Sequence, residues 1–104
     1  MQLVIIVTTV DSKATAQAMA RRMVEERLAA CVQILSCESH YVYEGRQEAT
    51  NEWRLEMKTT EAAQDRLMAR VEEVHPYDVP EVIVLPMMSA SQAYAEWVRT
   101  SVTT

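Results

Sequence analysis

Phenylalanine is absent from this chain, and glycine occurs once, at Gly45. A single glycine excludes a glycine-rich phosphate cradle, because such loops need several glycines where backbone meets ligand. It also leaves few positions where a left-handed turn is cheap. Clustered basic residues are missing too. Lys and Arg number 10 against 15 Asp and Glu, a formal net charge of −5. The adjacent pair Arg21–Arg22 is followed within a turn by Glu25 and Glu26. That balance argues against nucleic acid, whose phosphates require clustered cations, and against an anionic membrane surface. No run approaches the ~20 apolar residues of a membrane span. The apolar start, Leu3 to Val7, is strand-length and lacks a basic leader and a small-residue cleavage site. Cys31 and Cys37 are the two cysteines. They make no disulfide framework, so a cytosolic protein with reduced thiols is the expectation.

What is present fits one α+β domain over residues 1–104. Leu3–Val7 is a β-branched run that reads as a central strand. Asp11 and Ser12 offer an N-cap. Ala16, Met19, Ala20 and Met23 follow at helical spacing, and the pattern runs to about Leu28. Cys31 to Tyr43 is extended again. From about Glu48 to Thr59 the chain alternates, with Trp53, Leu55 and Met57 on one face and Glu52, Arg54, Glu56 and Lys58 on the other. Gly45 marks a hairpin between these runs. A three-residue loop, Gly45-Arg46-Gln47, pairs Cys37 with Leu55 and Leu35 with Met57, and Val32 and Ile34 then require a bulge near Leu35–Cys37. Thr60 caps a second helix whose buried stripe is Ala63, Leu67, Val71 and Val74. His75-Pro76-Tyr77-Asp78-Val79-Pro80 is not helical, because each proline holds the preceding residue extended. Val82 to Leu85 is the fourth strand, and Ser89-Ala90-Ser91-Gln92 reads as the capping box of a last helix carrying Tyr94, Trp97 and Val98. The order β-α-β-β-α-β plus a C-terminal helix is the ferredoxin-like split βαβ arrangement, two helices over an antiparallel sheet.

The hairpin predicts self-association. Arms of about a dozen residues reach roughly 40 Å, whereas a compact domain of this size is roughly 34 Å across. The overhang carries Tyr41, Val42, Tyr43 and Trp53. Long exposed strands with aromatics aggregate unless another chain covers them. A symmetric homo-oligomer, each hairpin on a neighbour's sheet edge, resolves this.

No catalytic constellation is legible. Ser36, Ser39, His40 and the acids do not assemble into a nucleophilic triad. His75, held by the prolines, is a candidate metal ligand, although a capping or hydrogen-bonding histidine is commoner. Cys31, where helix gives way to strand, is most simply a small buried hydrophobe. It lies too far along one strand from Cys37 to bridge to it. Glu48, Glu52, Glu56 and Lys58 read as a solvated charged stripe, with carboxylate ligation the sharper alternative.

Five stretches, in order along the chain, are Glu26 to Val32, Ser39 to Gly45, Lys58-Thr59-Thr60, His75 to Glu81, and Tyr94 to Trp97. Together they resemble the CutA divalent-cation tolerance family, and the L-A-A-C-V and H-P-Y-x-x-P-E segments are specific as a pair. The resemblance implies a ferredoxin-like homotrimer with no catalytic activity, linked to copper and other divalent cations. Tyr41, Tyr43 and Trp53 would anchor the trimer contact, and Cys31, Lys58, His75 and Tyr77 would line a cleft between subunits. Tyr43 stands where the family usually has tryptophan. Copper-ligand positions proposed in the family fall here on Val7, Val74 and His75, of which the valines cannot coordinate. The alternatives are a small-molecule or nucleotide sensor of PII-like shape, with Lys58 meeting an anion, and a structural assembly platform.

Overall fold

The structure, a computed structural model, describes residues 2–103; Met1 and Thr104, the ends of the expected 1–104 domain, lie outside them. The elements are β1 (Leu3–Val10), α1 (Lys13–Glu25), β2 (Cys31–Tyr43), β3 (Arg46–Thr60), α2 (Gln64–Val74), β4 (Ile83–Pro86) and α3 (Gln92–Ser101), with a 3₁₀ turn at Glu61–Ala63 leading into α2. The strands form one antiparallel sheet in the order β2-β3-β1-β4. This is the expected split βαβ topology.

α1 and α2 cover one face of the sheet. Val4, Ile6, Val10, Leu55 and Met57 from the strands meet Ala16, Met19 and Met23 of α1 and Leu67 and Val71 of α2. α3 lies on the other face: Leu3, which alternates away from Val4, packs with Ala95 and Val98. The Ser12 hydroxyl caps α1 by accepting from the Thr15 N–H at 3.2 Å, and Thr60 Oγ1 caps the 3₁₀ turn through the Ala63 N–H at 3.2 Å.

α1 stops three residues short of the expected Leu28. Arg27 takes a left-handed φ of 59°. The Arg27 N–H donates to Val24 O and the Leu28 N–H to Met23 O, each at 3.0 Å. That is a Schellman closure with Arg27 where glycine is usual. The last helix is capped by Ser91, which accepts from the Tyr94 N–H at 3.3 Å, and not by a box starting at Ser89.

The hairpin also differs from expectation. Tyr43 pairs with Arg46 across a two-residue turn, Glu44-Gly45, with φ 51° and 78°. These are the two left-handed residues of a type I′ turn. Cys37 therefore faces Glu52 and Leu35 faces Arg54, while Val32 and Ile34 face Met57 and Leu55. Pairing is unbroken from Cys31–Lys58 to Tyr43–Arg46, so no bulge occurs. The physical reason is burial. Leu55 and Met57 are fully buried, each contributing about 1.5–3 kcal/mol, and this register brings the apolar Ile34 and Val32 beside them. A slip by an odd number of residues would turn those two to the opposite face. The molecule measures 45 × 25 × 21 Å, longer than the ~34 Å of a compact domain. The hairpin end carries exposed Tyr41, Val42 and Tyr43.

Candidate functional site

The second face of the sheet carries most of the residues singled out in the sequence, in two groups at opposite ends. At one end Cys31 sits directly opposite Lys58, both half-buried. Lys58 Nζ donates to Gln33 Oε1. Tyr94 of α3 packs against the cluster of Leu3, Ala95 and Val98 there, and burial, with Cys31 nearby, pushes its hydroxyl pKa up.

The other end is built by the loop after α2. His75 ends that helix with extended backbone (ψ 135°), as the following proline requires. The residue is 9 % exposed. Nε2 lies 2.9 Å from the Thr9 carbonyl and Nδ1 accepts the Tyr77 N–H at 3.1 Å. A carbonyl only accepts, so Nε2 carries the proton and the ring is the neutral Nε2–H tautomer. Burial lowers its pKa, against the opposing pull of the Thr9 carbonyl, Glu52 and Asp11. Tyr77 packs on the imidazole with ring centres 4.7 Å apart and donates its hydroxyl to Glu52 Oε2 at 2.7 Å. Burial first, then Glu52, raises the Tyr77 pKa far above the phenol range, so it remains a donor. Glu52 is 8 % exposed. It is not a member of a solvated stripe, because Tyr77 covers it. An open groove of about 470 Å³ lies alongside, lined by Ser36, Cys37, Glu38, Asn51, Glu52 and Trp53.

The four expected cleft residues thus form two pairs, Cys31 with Lys58 and His75 with Tyr77. Glu52 and Lys58 lie on one strand, and their ends of the sheet are about 20 Å apart at 3.3 Å per residue. One chain does not bring the pairs together. Trp53 packs against the chain's own core, whereas Tyr41 and Tyr43 stay exposed.

A resident metal site does not fit one chain. Val7 is fully buried and Val74 packs on the core, and neither has a donor atom. The His75 ring offers no lone pair: one nitrogen holds a proton and the other accepts a backbone N–H. Among the described residues no three of His, Cys, Asp and Glu are grouped to hold an ion.

Sequence reasoning places Glu52 in a solvated stripe and gives Tyr94 and Gln33 no part in these clusters. Alternation gives the face of Glu52 but not its cover, which comes from 25 residues further along.

Comparison with known proteins agrees with this architecture. The profile of the CutA1 divalent ion tolerance protein family matches residues 4–101. The divalent-cation tolerance protein CutA of Thermus thermophilus is 40% identical over 96 residues, which cover 91% of this chain and 93% of that one. The chloroplastic protein CutA of Arabidopsis thaliana is 37% identical over 99 residues, 94% of this chain but 54% of that one, so the chain spans about half of it. Among solved structures, CutA1 from Oryza sativa superimposes with a TM-score of 0.95 at 36% identity, covering 99% of this chain and 95% of that one. A structure from Archaeoglobus fulgidus, named as the periplasmic divalent cation tolerance protein CutA, gives 0.94 at 28% identity, covering 97% and 99%. The expected cytosolic location is not supported, because similar proteins carry the words chloroplastic and periplasmic. Unpaired cysteines report a redox state, which does not single out a compartment. Among the described residues no helix is long and apolar enough to cross a membrane.

Proposed function

The chain belongs to the CutA1 divalent ion tolerance family, and on that premise we propose that it acts, without catalysis, as a homotrimer in tolerance of divalent metal ions. The observation that carries the assembly is the set of apolar residues that α3 leaves exposed on the second face. Leu35, Ile83 and Leu85 are 46 %, 42 % and 38 % exposed and share that face by register, and the hairpin extends it with Tyr41 and Tyr43. They lie on the two edge strands, β2 and β4, with Arg54, Glu56 and Lys58 of β3 between them, and exposed apolar residues on open sheet edges mark an interaction surface. Tyr41 and Tyr43 anchor the contact, and Trp53 braces the root of the hairpin on its own core. The cleft then forms between neighbours, with Cys31 and Lys58 from one end of a sheet and Tyr77 from the opposite end of the next. Light scattering at micromolar concentration should give three times the 11.9 kDa chain mass. A single-chain mass would end the proposal.

His75 holds the loop in this reading and gives no electrons to a metal. Calorimetry with copper(I), copper(II) and zinc should therefore show the same binding for the native protein and for His75→Asn. A loss confined to the variant, with the assembly intact, would return His75 to the metal. One observation favours a second reading, a sensor of small anions: the Lys58 ammonium beside Gln33 and Cys31. A thermal shift with ATP that Lys58→Ala abolishes would support it.

A further inference from the structure

We propose that the loop 75–82 is a proton-operated latch: a proton taken up at His75 Nδ1 sets two N–H groups against each other, frees Tyr77 from the sheet and bares the Glu52 carboxylate. The inference stands on the geometry of one chain and does not depend on the reading above.

The loop's anchors described above all pass through two side chains. The first is the Nε2–H of His75 on the Thr9 carbonyl. The second is the Tyr77 N–H on Nδ1. The third is the Tyr77 hydroxyl on Glu52. Only the second requires a bare nitrogen. Protonation converts Nδ1 into a donor 3.1 Å from another donor, and imidazolium has no acceptor left. Turning the ring over does not help, since both nitrogens then carry hydrogen. The Tyr77 amide must rotate away, and its ring, packed on His75, goes with it. Between Tyr77 and the far end of the loop, where Val82 packs on the core, little resists: Val79 is 90 % exposed and Asp78 and Glu81 face solvent.

The groups facing His75 set where this happens. Glu52 on β3 and Asp11 after β1 favour the imidazolium. On its own loop Tyr77 is a neutral phenol. Burial opposes the charge and dominates. The closed latch therefore binds the proton less readily than an open loop, whose histidine titrates near the ordinary ~6.5. The sign follows: a depressed value in the closed state means that closure is favoured above about 6.5 and weakens as pH falls below it. If the closed state resists protonation throughout, opening is about tenfold more populated at pH 5.5 than at pH 7.5.

Amide exchange read by NMR on the intact protein, corrected for intrinsic rates, tests this. Protection of the Tyr77 amide should fall several-fold, toward tenfold, between pH 7.5 and 5.5, while the Ile6 amide in the core keeps its protection. His75→Asn retains an acceptor for the Tyr77 N–H and cannot take up a proton, so its Tyr77 protection should be flat. Tyr77→Phe loses the Glu52 anchor, so residue 77 should start less protected and still respond to pH. A flat native profile, an equal fall in His75→Asn, or Ile6 falling in step would overturn the latch. Should His75→Asn not fold, the native protein decides: the ring-proton shifts of His75 and the Tyr77 amide must share one midpoint, and separate midpoints overturn it.

Discussion

Removing the Tyr77 hydroxyl is the sharpest probe of how the loop is attached. In Tyr77→Phe the ring still packs on His75, at the same 4.7 Å contact, and only the 2.7 Å bond to Glu52 is lost. Hydrogen bonds to charged groups contribute about 1.5–3 kcal/mol. Tyr77 is only half-buried, which places the loss toward the lower end, about 1.5–2 kcal/mol. Glu52 is 8 % exposed, and water replaces the lost donor poorly, which keeps the loss from falling to the few tenths of an exposed pair. Urea unfolding of the native protein, Tyr77→Phe, Glu52→Ala and the double variant closes a cycle, all at one chain concentration because assembly contributes to stability. The coupling should be about 1.5 kcal/mol. Additive single effects, with coupling below about 0.3 kcal/mol, would mean that the phenol faces water and that Glu52 is held by something else. The reasoning about the loop would fail with it.

Further changes read other parts of the structure. Thr8 is fully buried and its Oγ1 has no hydrogen-bond partner among the described residues, so Thr8→Val, nearly the same shape, should raise stability by about 1 kcal/mol; a fall in thermal midpoint would contradict this. Glu44 is exposed with φ 51°, a conformation that Asn tolerates far better, so Glu44→Asn should stabilise the turn by about 0.5–1 kcal/mol, checked by thermal melting. The native protein should lose stability as pH falls below about 6.5, because the His75 pKa is depressed on folding, and His75→Asn should lack that share in acid-titrated melts. At the alkaline end the raised Tyr77 value means that its contribution is present below about pH 10 and lost above it. Tyr77→Phe should therefore show the weaker alkaline loss in the same melts.

The residues show which features were legible. Ser12 and Thr60 are caps with the hydroxyl that a cap needs, and the Leu67–Val71 stripe has helical spacing, so the start of α1 is legible and that of α2 is displaced only by the 3₁₀ turn that Thr60 caps. The failures share one cause. Arg27 and Glu44 both occupy left-handed backbone without being glycine, asparagine or aspartate, and nothing local announces it. Arg27 ends α1 early, and Glu44 shifts the hairpin register by an odd number of residues, which reverses the assignment of every side chain on β2. The tertiary preference of Val32 and Ile34 for Leu55 and Met57 overrides the turn signal at Gly45. The site failed differently. The resemblance names Cys31, Lys58, His75 and Tyr77 as one cleft, but periodicity cannot tell which end of a sheet a loop returns to. Glu52 was assigned to solvent because its cover arrives from a distant loop.

That separation constrains what any ligand could be. The two pairs stand about 20 Å apart along the sheet, and a single metal ion draws its ligands from within about 2–2.6 Å. No ion can therefore be held by Cys31 and Tyr77 of the same chain. A metal shared by the two ends requires neighbouring chains arranged with one end against the other, so its affinity would rise and fall with assembly. If binding instead survived in separated chains, the groups responsible would have to lie within one pair, and the residues at that end alone would account for it. The dependence of binding on chain concentration thus discriminates between a site that belongs to the fold and a site that belongs to the assembly.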